Sequence, residues 1–154
     1  VQTCALPIYV FDKAPYGKKL AMFPSVVRDE AEKRIKEFDI RTQSVTDLVS
    51  SLSGGNKQKV VLARELSRPV KVVVASQPTR GLDVGSIEFV HDRMIAERDA
   101  GRGVLLFSTE LDEVFALADR IAVMYKGEII DIVPASISRS ELGLLMAGVK
   151  QVNS

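Results

Sequence analysis

Leu52-Ser53-Gly54-Gly55-Asn56 is the stretch of this sequence best suited to holding an anion. Ser53 stands where a helix N-cap would. The two glycines after it carry no side chain, so a ligand can approach the free amides of the helix start. Those unpaired N–H groups, with about half a positive charge from the aligned peptide dipoles, favour a phosphate. Read alone, the same residues also suit a plain turn that caps a helix. Lys57 and Lys59 could touch such a phosphate, but exposed helix lysines are more often simply solvated. A second polar cluster, Ser76-Gln77-Pro78-Thr79-Arg80-Gly81-Leu82-Asp83, closes an apolar run. By residue type alone, Ser76 and Gln77 are strand-end polar groups and Asp83 is a turn aspartate that caps the next helix. His91 reads as a packing or surface histidine, and Cys4 as unreactive.

The elements that must position these residues follow from hydrophobic period. From Ser25, the apolar residues Ala31, Ile35 and Phe38 recur at helical spacing among charged neighbours, which predicts an amphipathic helix. A polar connection over 42–51 leads to a glycine-led helix ending near Leu66. Lys71 to Ala75 and Val104 to Phe107 are continuous apolar runs of the kind found in fully buried parallel strands. Between them a helix from about Gly85 to Ala100 carries Ile87, Val90, Met94 and Ile95 and stops at Gly101. Strand, helix and strand with a crossover of this length form a βαβ unit, so the fold class is α/β. Leu111 to Ala118 predicts another helix, and Ile121 to Val133 two strands turning at Lys126-Gly127. A short helix over 140–147 ends the reading, which has no repeats or linkers and predicts one compact unit.

Composition excludes several functions. The 154 residues are 46% hydrophobic, enough for a core and too many for a disordered tail. With 21 Lys and Arg against 20 Asp and Glu, no basic excess argues for nucleic acid. A single cysteine builds neither a disulfide framework nor a multi-cysteine zinc cluster, and no metal site is indicated. The apolar runs are far short of the roughly 18 to 20 residues of a membrane span. Val1 to Ile8 fits nothing that follows, so 1–8 is read as a doubtful leader, with read-through from cloning or sequencing as one explanation.

Leu52 to Lys59 resembles the signature motif of ATP-binding cassette proteins, in the version with Asn56 where many members have Gln. The segment Gln77 to Gly85 is similar to the Walker B end and D-loop of that family. Its Thr-Arg-Gly-Leu-Asp-Val-Gly wording is close to that of simple-sugar and nucleoside importers. The resemblance runs from about Tyr9 to the terminus. It implies that 9–154 is the C-terminal part of a P-loop-type nucleotide-binding domain, a mainly parallel sheet flanked by helices. No GxxxxGK-Ser/Thr loop occurs, and Tyr16-Gly17-Lys18-Lys19 is a false lead for one. The Walker A region is therefore expected upstream of Val1, and the chain is expected to be a piece of the second cassette of a tandem ATPase, marginally soluble by itself.

Three departures bear on chemistry. Where the family has a Walker B Asp for Mg2+, the chain has Ser76. Where it has the catalytic Glu, the chain has Gln77, and where it has the switch His, Thr109. The resemblance thus implies a site that binds ATP but has lost its hydrolytic groups. It assigns Ser53, Gly54, Gly55 and Asn56 to the ATP site of a partner cassette, Ser76 and Gln77 to the chain's own site, and Asp83 to the interface near the facing nucleotide. Implied partners are that second cassette, transmembrane permease subunits and, indirectly, a solute-binding protein. The implied place is the cytoplasmic face of the membrane, and the implied cofactors are ATP and Mg2+. The rival readings are a non-catalytic regulatory nucleotide-binding module and a DNA-repair or chromosome ATPase. The second lacks a heptad segment, zinc cysteines and a basic stripe.

Overall fold

A computed structural model describes residues 17–18, 21–22 and 24–149, with side-chain surroundings over 25–149. The readings of 1–8 and Cys4 lie outside those residues. Within them the chain is α/β, and it forms two compact units where the sequence predicts one. Unit 1 is Val1–Val73 with Pro78–Leu105, and unit 2 is Val74–Gln77 with Leu106–Ser154. The division falls inside two strands, β3 (Val72–Ser76) and β4 (Gly103–Phe107), which no composition break marks.

Unit 1 begins with two-residue strands β1 (Gly17–Lys18) and β2 (Ala21–Met22), paired antiparallel. Gly17 and Lys18 thus belong to a strand pair. Helix α1 (Pro24–Glu37) opens on a proline whose fixed φ suits the first turn. It buries Val27 and Ala31, with Phe38 just past its end and Ile35 half-buried. Asp39 terminates it in the left-handed region, φ 46°. Ile40 N–H donates to Ile35 O at 2.9 Å and Asp39 N–H to Lys36 O at 3.4 Å, a Schellman pattern. A 3-10 turn (Val49–Ser51) precedes α2 (Gly54–Leu66), which buries Val60, Leu62, Ala63 and Leu66. Helix α3 (Val84–Asp99) contributes Val90 and Met94, and its Phe89 meets Phe38 edge to face at 6.5 Å.

Strands β3 and β4 pair in one sheet. Gly103 N–H donates to Lys71 O at 3.0 Å and Gln77 N–H to Phe107 O at 2.8 Å, so the two run in the same direction. They are not fully buried, contrary to the sequence expectation. Val72 and Val74 are 59% and 63% exposed, Leu105 and Phe107 50% and 46%, while Ala75 is buried. Continuous burial needs cover on both faces of a sheet. Among the described residues these side chains are only partly covered.

Unit 2 is organised around an antiparallel pair, β5 (Arg120–Tyr125) and β6 (Glu128–Pro134). The turn residues Lys126 and Gly127 both have positive φ, 48° and 88°, the type I′ geometry whose twist matches that of a hairpin. Ile121 and Val123 pack with Leu142 and Leu145 of α5 (Arg139–Met146), and Val114 and Phe115 of α4 (Leu111–Leu117) lie against the same cluster. Ser138 and Glu141 close a full capping box on α5.

Candidate functional site

In unit 1 the helix start is built as the sequence predicts, and its parts divide labour. Ser53 is the N-cap of α2 and accepts the backbone N–H of Asn56 at 3.4 Å. The Asn56 side chain donates its Nδ2–H to the same Ser53 Oγ at 2.9 Å, and its Oδ1 accepts the backbone N–H of Arg41 at 2.8 Å. Asn56 therefore spends its side chain on holding Ser53 and the 41 segment. Ser53 and Gly54 are exposed, and a Cβ on Gly54 would meet nothing within 4 Å. Gly55 is buried, and a Cβ there would lie 2.1 Å from Ser86 Oγ and 3.0 Å from Ser86 Cβ. The two glycines thus serve different ends. Gly55 lets α2 approach the start of α3, whereas the bareness of Gly54 serves no packing among the described residues.

Asp83 is the N-cap of α3. Its Oδ1 accepts Ser86 N–H at 3.0 Å and its Oδ2 accepts the Ser86 hydroxyl at 2.8 Å. The hydroxyl bond, followed by the backbone one, holds the Asp83 carboxyl below the usual carboxylate range. The capping role read from residue type is the one seen. Just before it, Leu82 N–H donates to Thr79 O at 3.1 Å across a turn with Gly81 at φ 74°. Ser86 went unremarked in the sequence, although an Asp followed three residues later by a short polar side chain is a legible helix-start signal. Lys59 departs from both of its sequence readings, because it is neither solvated nor free for phosphate. It is buried, with Nζ 2.7 Å from Asp39 Oδ2 and over the Phe89 ring at 4.6 Å.

Unit 2 holds the second candidate group. Ser76 is exposed at the end of β3. Gln77, half-buried, takes a left-handed φ of 49°, a conformation uncommon for a residue with a long side chain. Its side-chain Oε1 accepts the Thr109 hydroxyl at 3.3 Å across 32 residues of sequence. Beside it Ser108 Oγ accepts Glu110 N–H at 3.0 Å, ordering the approach to α4. The chain thus brings Gln77 and Thr109 together.

No protein-family profile matches the chain. The guanosine import ATP-binding protein NupO of Bacillus subtilis is 47% identical over 140 residues, which cover 90% of this chain and 28% of that protein. The nucleoside import ATP-binding protein NupA of Lactococcus lactis is 43% identical, over 93% of this chain and 28% of its own length. The glucose import ATP-binding protein TsgD13 of Haloferax volcanii is 42% identical over 90% of this chain. Among solved structures, a metal-chelate-type ABC transporter in an inward-facing conformation superposes with a TM-score of 0.75 at 19% identity, over 96% of this chain and 60% of that one. A dimeric ATP-binding cassette in a post-hydrolysis state with ADP and Pi gives 0.65 at 21% identity.

The chain belongs to the ATP-binding cassette family. This cassette chain spans about 28% of the length of NupO and of NupA. Its strand end offers a hydroxyl and a carboxamide, Ser76 and Gln77, where Mg2+ calls for hard and usually anionic oxygens, so these residues do not fit the ion. Among the described residues no group of three or more His, Cys, Asp or Glu side chains converges as a metal site. No helix among them is long and apolar enough to cross a membrane.

Proposed function

We propose that this chain is part of the ATP-binding subunit of an importer for a nucleoside or simple sugar, and that it caps a nucleotide held by a second cassette. The single observation that carries the reading is Gly54. It is exposed at the mouth of α2, its φ is not left-handed, and a side chain there would strike nothing within 4 Å. Neither packing nor backbone geometry asks for glycine. A phosphate approaching the free amides from outside does, because a side chain would stand in its way. Ser53 beside it offers a hydroxyl, and Gly55 fixes the helix start against Ser86.

In the same reading, Ser76, Gln77 and Thr109 line a second nucleotide site that holds ATP and turns it over slowly or not at all. An amide has no proton-accepting power near neutral pH, and removing a general base costs about 10² to 10⁴ in rate. Hydrolysis is then left to the site that Ser53, Gly54, Gly55 and Asn56 complete. The whole protein would sit at the cytoplasmic face of the membrane with transmembrane permease subunits, supplied indirectly by a solute-binding protein. The import functions in the names of the relatives support this over a DNA-repair or chromosome ATPase.

The test is Gly54→Leu in the complete ATPase. Loss of most ATP turnover with unchanged folding is the expected result. Near-normal turnover would overturn the assignment. Absence of hydrolysis in the unsubstituted protein, with nucleotide still bound, would instead favour a regulatory module.

A further inference from the structure

The segment 39–41, just past the end of α1, is gripped by α2 at two points one turn apart. Lys59 Nζ donates to Asp39 Oδ2 at 2.7 Å and to Asp39 O at 3.0 Å. One turn nearer the helix start, Asn56 Oδ1 accepts Arg41 N–H at 2.8 Å, and Asn56 Nδ2–H donates to Ser53 Oγ at 2.9 Å. Residues three apart share a helix face, so one side of α2 carries both grips. Asp39 has a φ of 46°, a conformation that glycine adopts at less cost. The backbone thus does not ask for aspartate, and its carboxylate is used on Lys59. From α3, Arg93 donates to Glu37 O at 2.6 Å and lays its guanidinium over the Phe38 ring at 4.2 Å. The end of α1 therefore keeps a hold that does not depend on Lys59.

We propose that Lys59 is a positioning residue for the start of α2: by holding Asp39 it keeps Arg41 N–H on Asn56, and through Asn56 it keeps the Ser53 hydroxyl oriented. The inference rests on the reading above that this helix start caps a nucleotide held by a second cassette. Lys59 is buried, with its Nζ 4.6 Å over the Phe89 ring, so water offers it little and Asp39 is the partner it holds. A bond between an ammonium and a carboxylate is charge-assisted, the stronger kind. Without that grip the 39–41 segment is free to leave α2. An amide released from Arg41 is then free to turn away from Ser53, whose hydroxyl loses its fixed direction.

The experiment measures ATP turnover, ATP affinity and melting temperature on the complete ATPase. Asp39→Gly suits the left-handed backbone and removes the carboxylate. Asp39→Asn also removes the charge but returns an accepting oxygen to Lys59. Lys59→Met keeps an apolar stem beside Phe89 and removes the ammonium. In Asp39→Gly and Lys59→Met kcat should fall about three- to tenfold, the scale of one hydrogen bond, with ATP affinity unchanged because another cassette holds the nucleotide. Asp39→Asn should turn over close to the unsubstituted rate, although it loses the counter-ion just as Asp39→Gly does. Combining Asp39→Gly with Lys59→Met should add nothing. The proposal falls if Asp39→Gly keeps full turnover, if Asp39→Asn is as slow as Asp39→Gly, if the loss lies in ATP affinity and not in kcat, or if the two effects multiply. Gly54→Leu separates the two readings. Near-normal turnover there removes the capping reading and this inference together, whereas an inactive Gly54→Leu beside a fully active Asp39→Gly overturns this inference alone.

Discussion

The amide nitrogen of Asn56 sits 2.9 Å from the hydroxyl oxygen of Ser53 and donates to it. The backbone N–H of Asn56 donates to the same oxygen, so both Ser53 lone pairs have partners and its hydroxyl hydrogen is left to point elsewhere. Asn56 thereby turns Ser53 into a donor, which is what an anion requires.

Asn56→Leu removes the bonds to Ser53 Oγ and to Arg41 N–H. Each is a partly solvated bond, so a loss of roughly 1 to 2 kcal/mol in stability is expected. ATP turnover of the whole protein should fall by a larger factor than that of a surface control of equal stability loss. Urea denaturation and steady-state ATPase assays on the same preparations check both.

The adjacent glycines should respond oppositely to alanine. Gly54→Ala meets open space and improves helix propensity, so stability should hold or rise by up to about 0.5 to 1 kcal/mol. Gly55→Ala drives a methyl into Ser86 and should cost about 1 to 3 kcal/mol. Calorimetric melting of the two variants distinguishes them, and equal melting temperatures would contradict the packing described.

The Asp39–Lys59 pair makes stability depend on acid pH. The hydrogen bond from Lys59, and then its charge, hold the Asp39 carboxyl below its ordinary value of 3.8. A depressed folded-state value contributes stability that is fully present above the unfolded value and is lost as pH falls through the folded one. Asp47, bonded by Thr42 and Ser44, and Asp83, bonded by Ser86, act in the same direction. Unfolding free energy should therefore decline below about pH 4. In Asp39→Asn that decline should be shallower, from a starting stability lowered because buried Lys59 has lost its counter-ion. Denaturant titrations between pH 3 and 7 test the slope.

Lys126 occupies a left-handed turn position that glycine or asparagine adopts more readily. Lys126→Asn should raise stability by a few tenths to about 1 kcal/mol without touching nucleotide retention. A fall in melting temperature would speak against the type I′ turn.

Much of this was legible in the chain because local signals and tertiary demands agree. Ser53 with its two glycines predicts the start of α2, and Lys126-Gly127 predicts the hairpin. The strands β3 and β4 were legible in position but not in burial, since an apolar run states what could be covered and not whether cover is present. The fate of Lys59 was hidden because its partner Asp39 lies twenty residues away, at a helix end whose left-handed cap is an aspartate and not the usual glycine. The meeting of Gln77 with Thr109 was equally hidden, as it depends on how two strands align.

The close seat of Gly55 against Ser86 ties together the histories of two positions 31 residues apart. A lineage that enlarges the first must shrink the second, and the laboratory version of that bargain is Ser86→Gly restoring a Gly55→Ala protein. Drift at one site is then never silent at the other.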